Sequence, residues 1–320
     1  MKTSNITLGI AALAIAASLT VTSCRKKDKT PAQEPDNEQT TAADNSLAEN
    51  SSNDIIAMGS QLSENSGTLT TYRMDGSVNP DFMFAATCAT ITPGLTGTIV
   101  TSYTLDFGTT GCVSANDGRT RKGKLIYNFP NATTGAKWYR NPGFSMVVTS
   151  SGYSVDGNLV SISGKTVTNT TPSSVTGQTV YSGTNLTWSI NSNISITKTT
   201  NEVISWSCSR TKELINSNDP VCYKGQALAI DWTKAKIKLN GTASGTNAKG
   251  ESYTAVATDL VRDFTCAPDG TKPHRHPFIS GKINYTPGTR PTRYVDYGAG
   301  TCDFNATVTI NGQTFAVTLQ

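Results

Sequence analysis

The chain has few charged residues and few histidines, and both shortages narrow what it can do. Charged side chains make up 16% of its 320 residues, and the formal net charge is +4. Because this net charge is small and evenly spread along the chain, it forms no basic patch. We therefore expect no nucleic-acid partner. Only two histidines, His274 and His276, could serve a Ser-His-Asp hydrolase, and no Gly-x-Ser-x-Gly motif occurs.

No hydrophobic run is long enough to span a bilayer as a helix. The longest apolar run, residues 6–21, has sixteen residues, whereas a spanning helix needs roughly 20. Lys2 precedes this run and Val21-Thr22-Ser23-Cys24 follows it, as in a secretory signal.

The cysteine at the cleavage position resembles the lipobox of a bacterial lipoprotein, whose cysteine is lipidated. We predict a lipoprotein signal over residues 1–23 and attachment to a membrane through acyl chains on Cys24. An ordinary signal peptide and an uncleaved transmembrane anchor are the alternatives.

The other six cysteines form an even set, which in an exported chain suggests disulfides. Six cysteines allow 15 pairings. Because these six fall into three close couples along the chain, we predict the pairs Cys88–Cys112, Cys208–Cys222 and Cys266–Cys302. A metal site is the alternative, and the absence of a Cys-x-x-Cys motif disfavours it.

Three segments of different character follow the signal. Residues 24–52 are polar and lack apolar periodicity, which predicts a flexible tether. Residues 53–65 carry Ile55, Met58 and Leu62 at helical spacing, which predicts a short helix or linker. From residue 66 the apolar period becomes two, so we predict an all-β body over residues 66–320.

Alternating residues support that all-β body. Residues 186–197 alternate apolar and polar side chains, a second strand follows from Val203, and Asn311-Gly312 separates two alternating runs as in a β-hairpin. We predict a disulfide-stapled antiparallel β-sandwich or an extended twisted β-meander of about a dozen strands. Within it, three tryptophans are assigned to buried strand positions, namely Trp188, Trp206 and Trp232.

One motif occurs twice. Residues 105–112 and 295–302 share an apolar residue, aspartate, an aromatic residue, glycine and a final cysteine at the same spacing. This repeat predicts a strand that ends in a glycine turn and is stapled to a neighbour. It also suggests two related halves, residues 66–200 and 201–320.

The set of motifs resembles a group of uncharacterised envelope lipoproteins of Bacteroidota. The resemblance rests on the lipobox, the Cys-Arg-Lys-Lys-Asp-Lys start, Asp-Phe-Gly-x-x-Gly-Cys and Asp-Tyr-Gly-x-Gly-Thr-Cys-Asp. It implies a place in the cell envelope and no particular activity. Arg25, where an aspartate retains enterobacterial lipoproteins in the inner membrane, favours the outer membrane by analogy. The surface and the periplasmic face both remain open.

Three local features are candidates for binding. Trp138 and Tyr139 lie in a loop-like segment and are candidates for glycan stacking, with packing back onto the sheet as the alternative. His274 and His276 could share one face and are a weak metal candidate, with a polar loop as the alternative. The basic residues 119–124 are interpreted as a solvated edge strand, with polyanion binding as the alternative.

Carboxylates are sparse and lie mostly at turns, so no acid–base pair for a glycosidase can be assigned. We therefore predict no enzyme and no cofactor. The expected function is a non-catalytic binding or structural role at the outer membrane, with a glycan or an envelope protein as possible partner. The alternative is a glycan-binding accessory or a carbohydrate-processing enzyme of the envelope.

Overall fold

The computed structural model describes residues 40–64, 72–73, 89–114, 117–172, 185–223, 230–270 and 276–318. The predicted signal, Cys24 and the start of the predicted tether lie outside the described residues. All described residues belong to one compact unit, which spans Asp36–Gln320. Within the described ranges, no helix is both long and apolar enough to cross a membrane.

The described residues form one long helix and fifteen strands. The helix is α1 (Thr40–Glu64), and short 3-10 turns lie at Ala132–Thr134 and Trp232–Lys234. The strands are β1 (Tyr72–Arg73), β2 (Thr90–Thr96), β3 (Ile99–Asp106), β4 (Cys112–Val113), β5 (Thr120–Asn128), β6 (Ser145–Val155), β7 (Asn158–Asn169), β8 (Leu186–Thr197), β9 (Val203–Leu214), β10 (Lys236–Thr246), β11 (Ser252–Asp263), β12 (Phe278–Pro287), β13 (Arg293–Ala299), β14 (Asn305–Ile310) and β15 (Gln313–Thr318).

All these strands belong to one antiparallel sheet. Each strand pairs with the next along the chain, except that β3 pairs directly with β5 and β4 pairs with β5 off this path. The prediction of an all-β body is confirmed, and the continuous pairing is that of the meander. Antiparallel neighbours need only short connections, so the chain can return repeatedly through tight turns.

The alternation of apolar and polar residues and the Asn-Gly turn correctly predicted the positions of several strands. The alternation at residues 186–197 corresponds to β8, and Val203 begins β9. Asn311 and Gly312 join β14 to β15, with φ angles of 51° and 79°. Two successive positive φ angles are what a two-residue hairpin turn requires, and Asn-Gly supplies them at low cost.

The two predicted halves, 66–200 and 201–320, are wrong as structural units. Strands β8 and β9 lie on either side of the proposed boundary and pair along their whole length, from Leu186 with Leu214 to Thr197 with Val203. The sheet therefore continues through this point as part of one compact unit.

The two copies of the repeat nevertheless have the same local structure. Asp106 Oδ1 accepts a hydrogen bond from the Gly108 N–H, and Asp296 Oδ1 accepts one from Gly298, both at 2.9 Å. Both glycines have positive φ, at 72° and 86°. Each aspartate also pairs with a lysine on the neighbouring strand. Both copies therefore share an Asx turn with a glycine. In the first copy this turn follows the end of β3 at Asp106, whereas in the second copy β13 continues to Ala299.

Helix α1 starts earlier than predicted and takes up much of the segment assigned to the flexible tether 24–52. Its burial is almost complete, with Ala43 as the one exposed residue along its length. The apolar residues Ile55, Met58 and Leu62, which predicted a short helix, are buried as expected. The first half of the helix carries polar residues instead, so apolar periodicity does not reveal it.

Polar contacts with the sheet compensate for the burial of this half. Asn45 Oδ1 accepts from Trp206 Nε1 at 2.9 Å, and Asn45 Nδ2 donates to Tyr285 Oη at 3.2 Å. Carboxylates along the whole helix form buried or half-buried ion pairs with strands of the sheet or with their connections, namely Asp44 with Lys198, Glu49 with Arg210, Asp54 with Arg121 and Glu64 with Arg140. A buried polar group is tolerated when it is paired in this way.

The helix also approaches the sheet very closely at Gly59. A methyl group there would lie 2.5 Å from Tyr127 Cε1 and would also overlap Met146. Tyr127 in turn donates from its hydroxyl to the carbonyl oxygen of Ile55 at 2.9 Å. Glycine is therefore required by packing at this position, although it is a poor helix former.

The cysteine pairing agrees with the prediction at one pair and corrects another. Cys266 and Cys302 form a disulfide with a Cα–Cα distance of 5.5 Å. Cys208 and Cys222 are free buried thiols, so the predicted bond between them is wrong. Cys208 lies in the middle of β9, whereas Cys222 lies in the turn region beyond its end, and a disulfide needs Cα atoms within about 7 Å. Cys88, the predicted partner of Cys112, lies outside the described residues.

The basic segment 119–124 is not an edge strand. It leads into β5, which lies between β3 and β6 in the sheet. Lys122 and Lys124 face solvent, but Arg121 is buried and binds both Asp54 of the helix and Asp117. The segment therefore connects helix and sheet.

We expect the Arg121→Met variant to lose about 3–5 kcal/mol of the free energy of unfolding, because it leaves the buried Asp117 without its ion-pair partner and Asp54 with only the 4.0 Å contact to Arg119. The matched control is Lys282→Met, which breaks the exposed Lys282–Asp296 pair and is expected to cost less than about 1 kcal/mol. Urea unfolding followed by tryptophan fluorescence measures both changes. Equal losses of unfolding free energy in the two variants would contradict our interpretation that the buried Arg121 ion pairs stabilise the packing of the helix on the sheet.

Candidate functional site

A cavity of about 620 Å³ lies along one side of α1. The helix contributes mainly small or polar residues to it, including Ser46, Asn50 and Ala57, whereas the sheet side contributes most of the large apolar residues. These helix residues belong to the less buried side of α1. The volume is within the 300–1,000 Å³ range of typical small-molecule sites.

Two cations face this cavity from strands β9 and β11, which lie on either side of β10. Lys212 of β9 lies opposite Leu239 of β10, and Arg262 of β11 lies opposite Ile237. Lys212 and Arg262 are thus separated by one strand and offset by two residues. Because side chains two residues apart share a face of a strand, both cations point to the side of the sheet that lines the cavity.

Lys212 is surrounded by aromatic rings. The residue is 7% exposed, and its Nζ lies 4.6 Å from the ring centroid of Trp232, 5.1 Å from that of Tyr139 and 5.4 Å from that of Trp188. Nζ also donates to Tyr139 Oη at 3.3 Å. Among the described residues, no carboxylate forms an ion pair with it.

Arg262 is similarly short of polar partners. Its Cζ atom lies 4.5 Å from the ring centroid of Phe278, and its Nε is buried without a hydrogen-bond acceptor in the described part of the chain. Burial lowers the pKa of Lys212 to about 7, with a further contribution from the charge of Arg262. Burial likewise lowers the pKa of Arg262 to about 10, and the charge of Arg119 adds to this.

The acidic residues at the cavity are already bound elsewhere. Glu49 pairs with Arg210, Asp54 and Asp117 pair with Arg121, and Asp156 accepts from the Thr120 N–H at 2.9 Å. None of these four carboxylates therefore forms an ion pair with Lys212 or Arg262, although the charges of Glu49 and Asp54 act on Arg262. Cations that are withdrawn from water in a concave site and lack an ion-pair partner are a physical signature of a functional site.

Aromatic side chains continue the cavity wall beyond Lys212. Trp232 and Phe264 have ring centroids 6.3 Å apart, and Phe264 lies 5.1 Å from His276. His276 Nδ1 is 2.7 Å from the carbonyl oxygen of Cys266. His274 lies outside the described residues, and the described ones contain no group of three potential metal-ligating side chains.

Tyr139, a predicted glycan contact, is placed elsewhere by the structure. It is fully buried and stacks on Trp188 with a centroid distance of 4.7 Å and an interplanar angle of 18°. Its ring faces are therefore unavailable to a sugar, so this part of the prediction is wrong. Trp138 is half-buried, and the Arg140 guanidinium lies 4.4 Å from its ring centroid. The loop packs back onto the sheet, which was the alternative.

The tryptophan predictions were correct at two of three positions. Trp188 and Trp206 lie in strands and are buried. Trp232 lies in a 3-10 turn and is half-buried, with its side chain at the cavity. Its position there makes it a candidate ligand contact.

Lys212 itself was missed, although the sequence holds a signal for it. In β9 the alternation that buries Trp206 and Cys208 also places Arg210 and Lys212 on the same inner side. A charged residue on the apolar side of a strand requires a partner or a function. Arg210 finds its partner in Glu49, and Lys212 finds none among the described carboxylates.

A contact between a lysine and two serines lies between helix and sheet and is not part of the cavity wall. Lys165 Nζ lies 2.5 Å from Ser52 Oγ and 3.1 Å from Ser192 Oγ, and burial lowers the pKa of Lys165 to about 8. A lysine with a lowered pKa can activate a serine nucleophile. All three residues are buried and none lines the cavity, so we interpret this contact as part of the seal between helix and sheet.

Comparisons of the chain with protein families, with curated proteins and with solved structures found no match.

We expect Lys212 to make stability depend on pH. Between pH 7 and about 10 the unfolded chain keeps a proton that the folded chain has lost, so the free energy of unfolding rises with pH in this window. Compared with the Lys212→Met variant, the free energy of unfolding of the unsubstituted chain should rise by up to about 1.4 kcal/mol per pH unit in this window. Urea unfolding at pH 6, 7, 8 and 9 measures this difference, and parallel pH profiles would contradict the lowered pKa.

Proposed function

We propose that this chain is an outer-membrane lipoprotein, anchored through Cys24, whose β body is a non-catalytic binding protein for a small ligand. The observation that carries the binding role is the cavity beside α1, with its aromatic wall and two cations, the buried Lys212 and the half-buried Arg262, that form no ion pair among the described residues. Groups that are costly to bury persist when they contribute to function.

The carboxylates at the cavity support binding over catalysis. A glycosidase needs one carboxyl group as a proton donor and a second as base or nucleophile. Here Glu49, Asp54 and Asp117 are held by arginines, and Asp156 is held by a backbone N–H. The burial of Tyr139 removes the glycan platform on which the alternative prediction rested.

The proposed location in the outer membrane rests on the sequence. Lys2, the apolar run 6–21 and the small residues before Cys24 have the order of a lipoprotein signal. The resemblance to Bacteroidota envelope lipoproteins and the presence of Arg25 favour the outer membrane. We leave the surface and the periplasmic side as alternatives, which protease treatment of intact cells would distinguish.

We expect Cys24→Ser to abolish the incorporation of radiolabelled palmitate and to release the chain from the membrane fraction, because the acyl chains are the proposed anchor. Cys222→Ala, which removes a buried thiol of the β body, is the matched control and should remain labelled and membrane-bound. Equal labelling of both variants would contradict lipidation at Cys24.

We expect the neutral dye Nile red to bind in the cavity and to increase its emission there. The test uses the mature chain with Cys24→Ser, so that no lipid competes for the dye. Ala57→Trp and Ser46→Trp, two independent substitutions at the cavity wall, should each reduce the dye signal at least fivefold because they fill the space.

The control for this experiment is Val256→Trp, which adds the same ring at an exposed apolar position outside the cavity wall. Circular dichroism confirms that each variant is folded. If the dye binds the folded cavity variants as well as the control, the cavity is not the binding site and the proposed function fails.

A further inference from the structure

We infer that the ligand is an amphiphilic anion, a small molecule that joins one carboxylate-type group to an apolar body, with the anion held between Lys212 and Arg262. This inference rests on the proposed function and specifies the class of ligand. The charge of the cavity, the reach of the two cations and the character of the wall around them favour this class of ligand.

The charge of the cavity favours an anion. Each acidic side chain at the wall is paired with an arginine that does not line the cavity or with a backbone N–H, as described above. The basic side chains at the wall other than Lys212 and Arg262 have partners: Arg119 lies 4.0 Å from Asp54, and Arg293 donates to the carbonyl oxygen of Pro291. An anionic ligand would supply the ion-pair partner that Lys212 and Arg262 lack among the described residues.

The two cations can reach one group. One intervening strand and an offset of two residues place their Cα atoms roughly 12 Å apart, given strand spacings of about 4.8 Å and rises of about 3.4 Å per residue. Lysine and arginine side chains together span this distance from both sides. Guanidinium and ammonium groups are the usual partners of a carboxylate, and such charge-assisted hydrogen bonds are stronger than neutral ones.

The rest of the wall fits an apolar body. Trp232 and Phe264 continue from Lys212, and Phe278 and Tyr297 continue from Arg262, with ring centroids 6.3 Å and 5.4 Å apart within these pairs. Beyond them the wall is formed by aliphatic side chains such as Ile283 and Val295. A ligand with polar groups along its whole length would leave those groups without partners on this side.

The same wall excludes the opposite charge. A neutral amphiphile would gain the apolar contacts but would leave both cations unpaired in a drier site. A cationic amphiphile would add a third positive charge beside them. The site should therefore bind an anion more tightly than the neutral and cationic molecules of the same chain length.

Displacement of Nile red from the mature chain with Cys24→Ser tests this order. The competitors are decanoate, decanol and decylamine at pH 6.5, each kept below the concentration at which it forms aggregates. Decanoate should displace the dye at a concentration at least tenfold lower than decanol or decylamine. Lys212→Met and Arg262→Met should each raise the concentration of decanoate that displaces the dye toward the concentration that decanol requires. The concentration of decanol that displaces the dye should not change.

Two further variants separate charge from folding. Lys212→Arg keeps the positive charge and should keep the preference for decanoate. Lys165→Met removes another buried lysine that does not line the cavity and should also keep it. If the dye binds and decanoate is no better than decanol, the inferred ligand class is wrong while the binding role stands. If the dye does not bind in the cavity, the proposed function itself is wrong.

Discussion

The ion pairs between α1 and the sheet are the interaction on which the rest of this structure depends. A helix whose first half is polar can be buried only where each carboxylate meets a cation, because an unpaired buried charge costs several kcal/mol. Asp44, Glu49, Asp54 and Glu64 meet cations from the turn after β8, from β9, from β5 and from the loop before β6. Their spacing fixes both the rotation and the position of the helix along the sheet, and with it the side of α1 that remains available to form the cavity.

Features that depend on neighbouring residues could be predicted from the sequence. The alternation in β8, the Asn-Gly hairpin and the Asp-aromatic-Gly repeat are each determined within a few residues, and the structure has them where they were expected. The first half of α1 could not be predicted in this way, because its polar residues are stabilised by side chains more than 60 positions away, such as Lys198 and Arg210. A polar segment without these partners has the composition of a tether.

The candidate site could not be predicted from the sequence because it, too, depends on contacts between residues that are distant along the chain. Tyr139 is in a loop that has the composition of a sugar-binding segment, and only the sheet shows that its ring is stacked on Trp188 and closes one side of the Lys212 environment. Lys212 left a trace in the alternation of β9, where it shares an inner side with Trp206. The sequence alone does not distinguish a paired inner cation such as Arg210 from an unpaired one, since the pairing is decided by which helix carboxylate lies nearby.

The long range of the helix contacts has a consequence for how the chain acquires its structure. Asn45 and Tyr285 are 240 positions apart, yet they form a hydrogen bond. Folding rates fall as contacting residues become more distant along the chain, because long loops must close before such contacts form. Helix α1, the first long element of the body along the chain, is therefore among the last to be completed, and its Asp44 and Glu49 side chains remain in water until Lys198 and Arg210 are in place. Their charge keeps this waiting segment soluble, a property that an apolar core helix in the same place would lack.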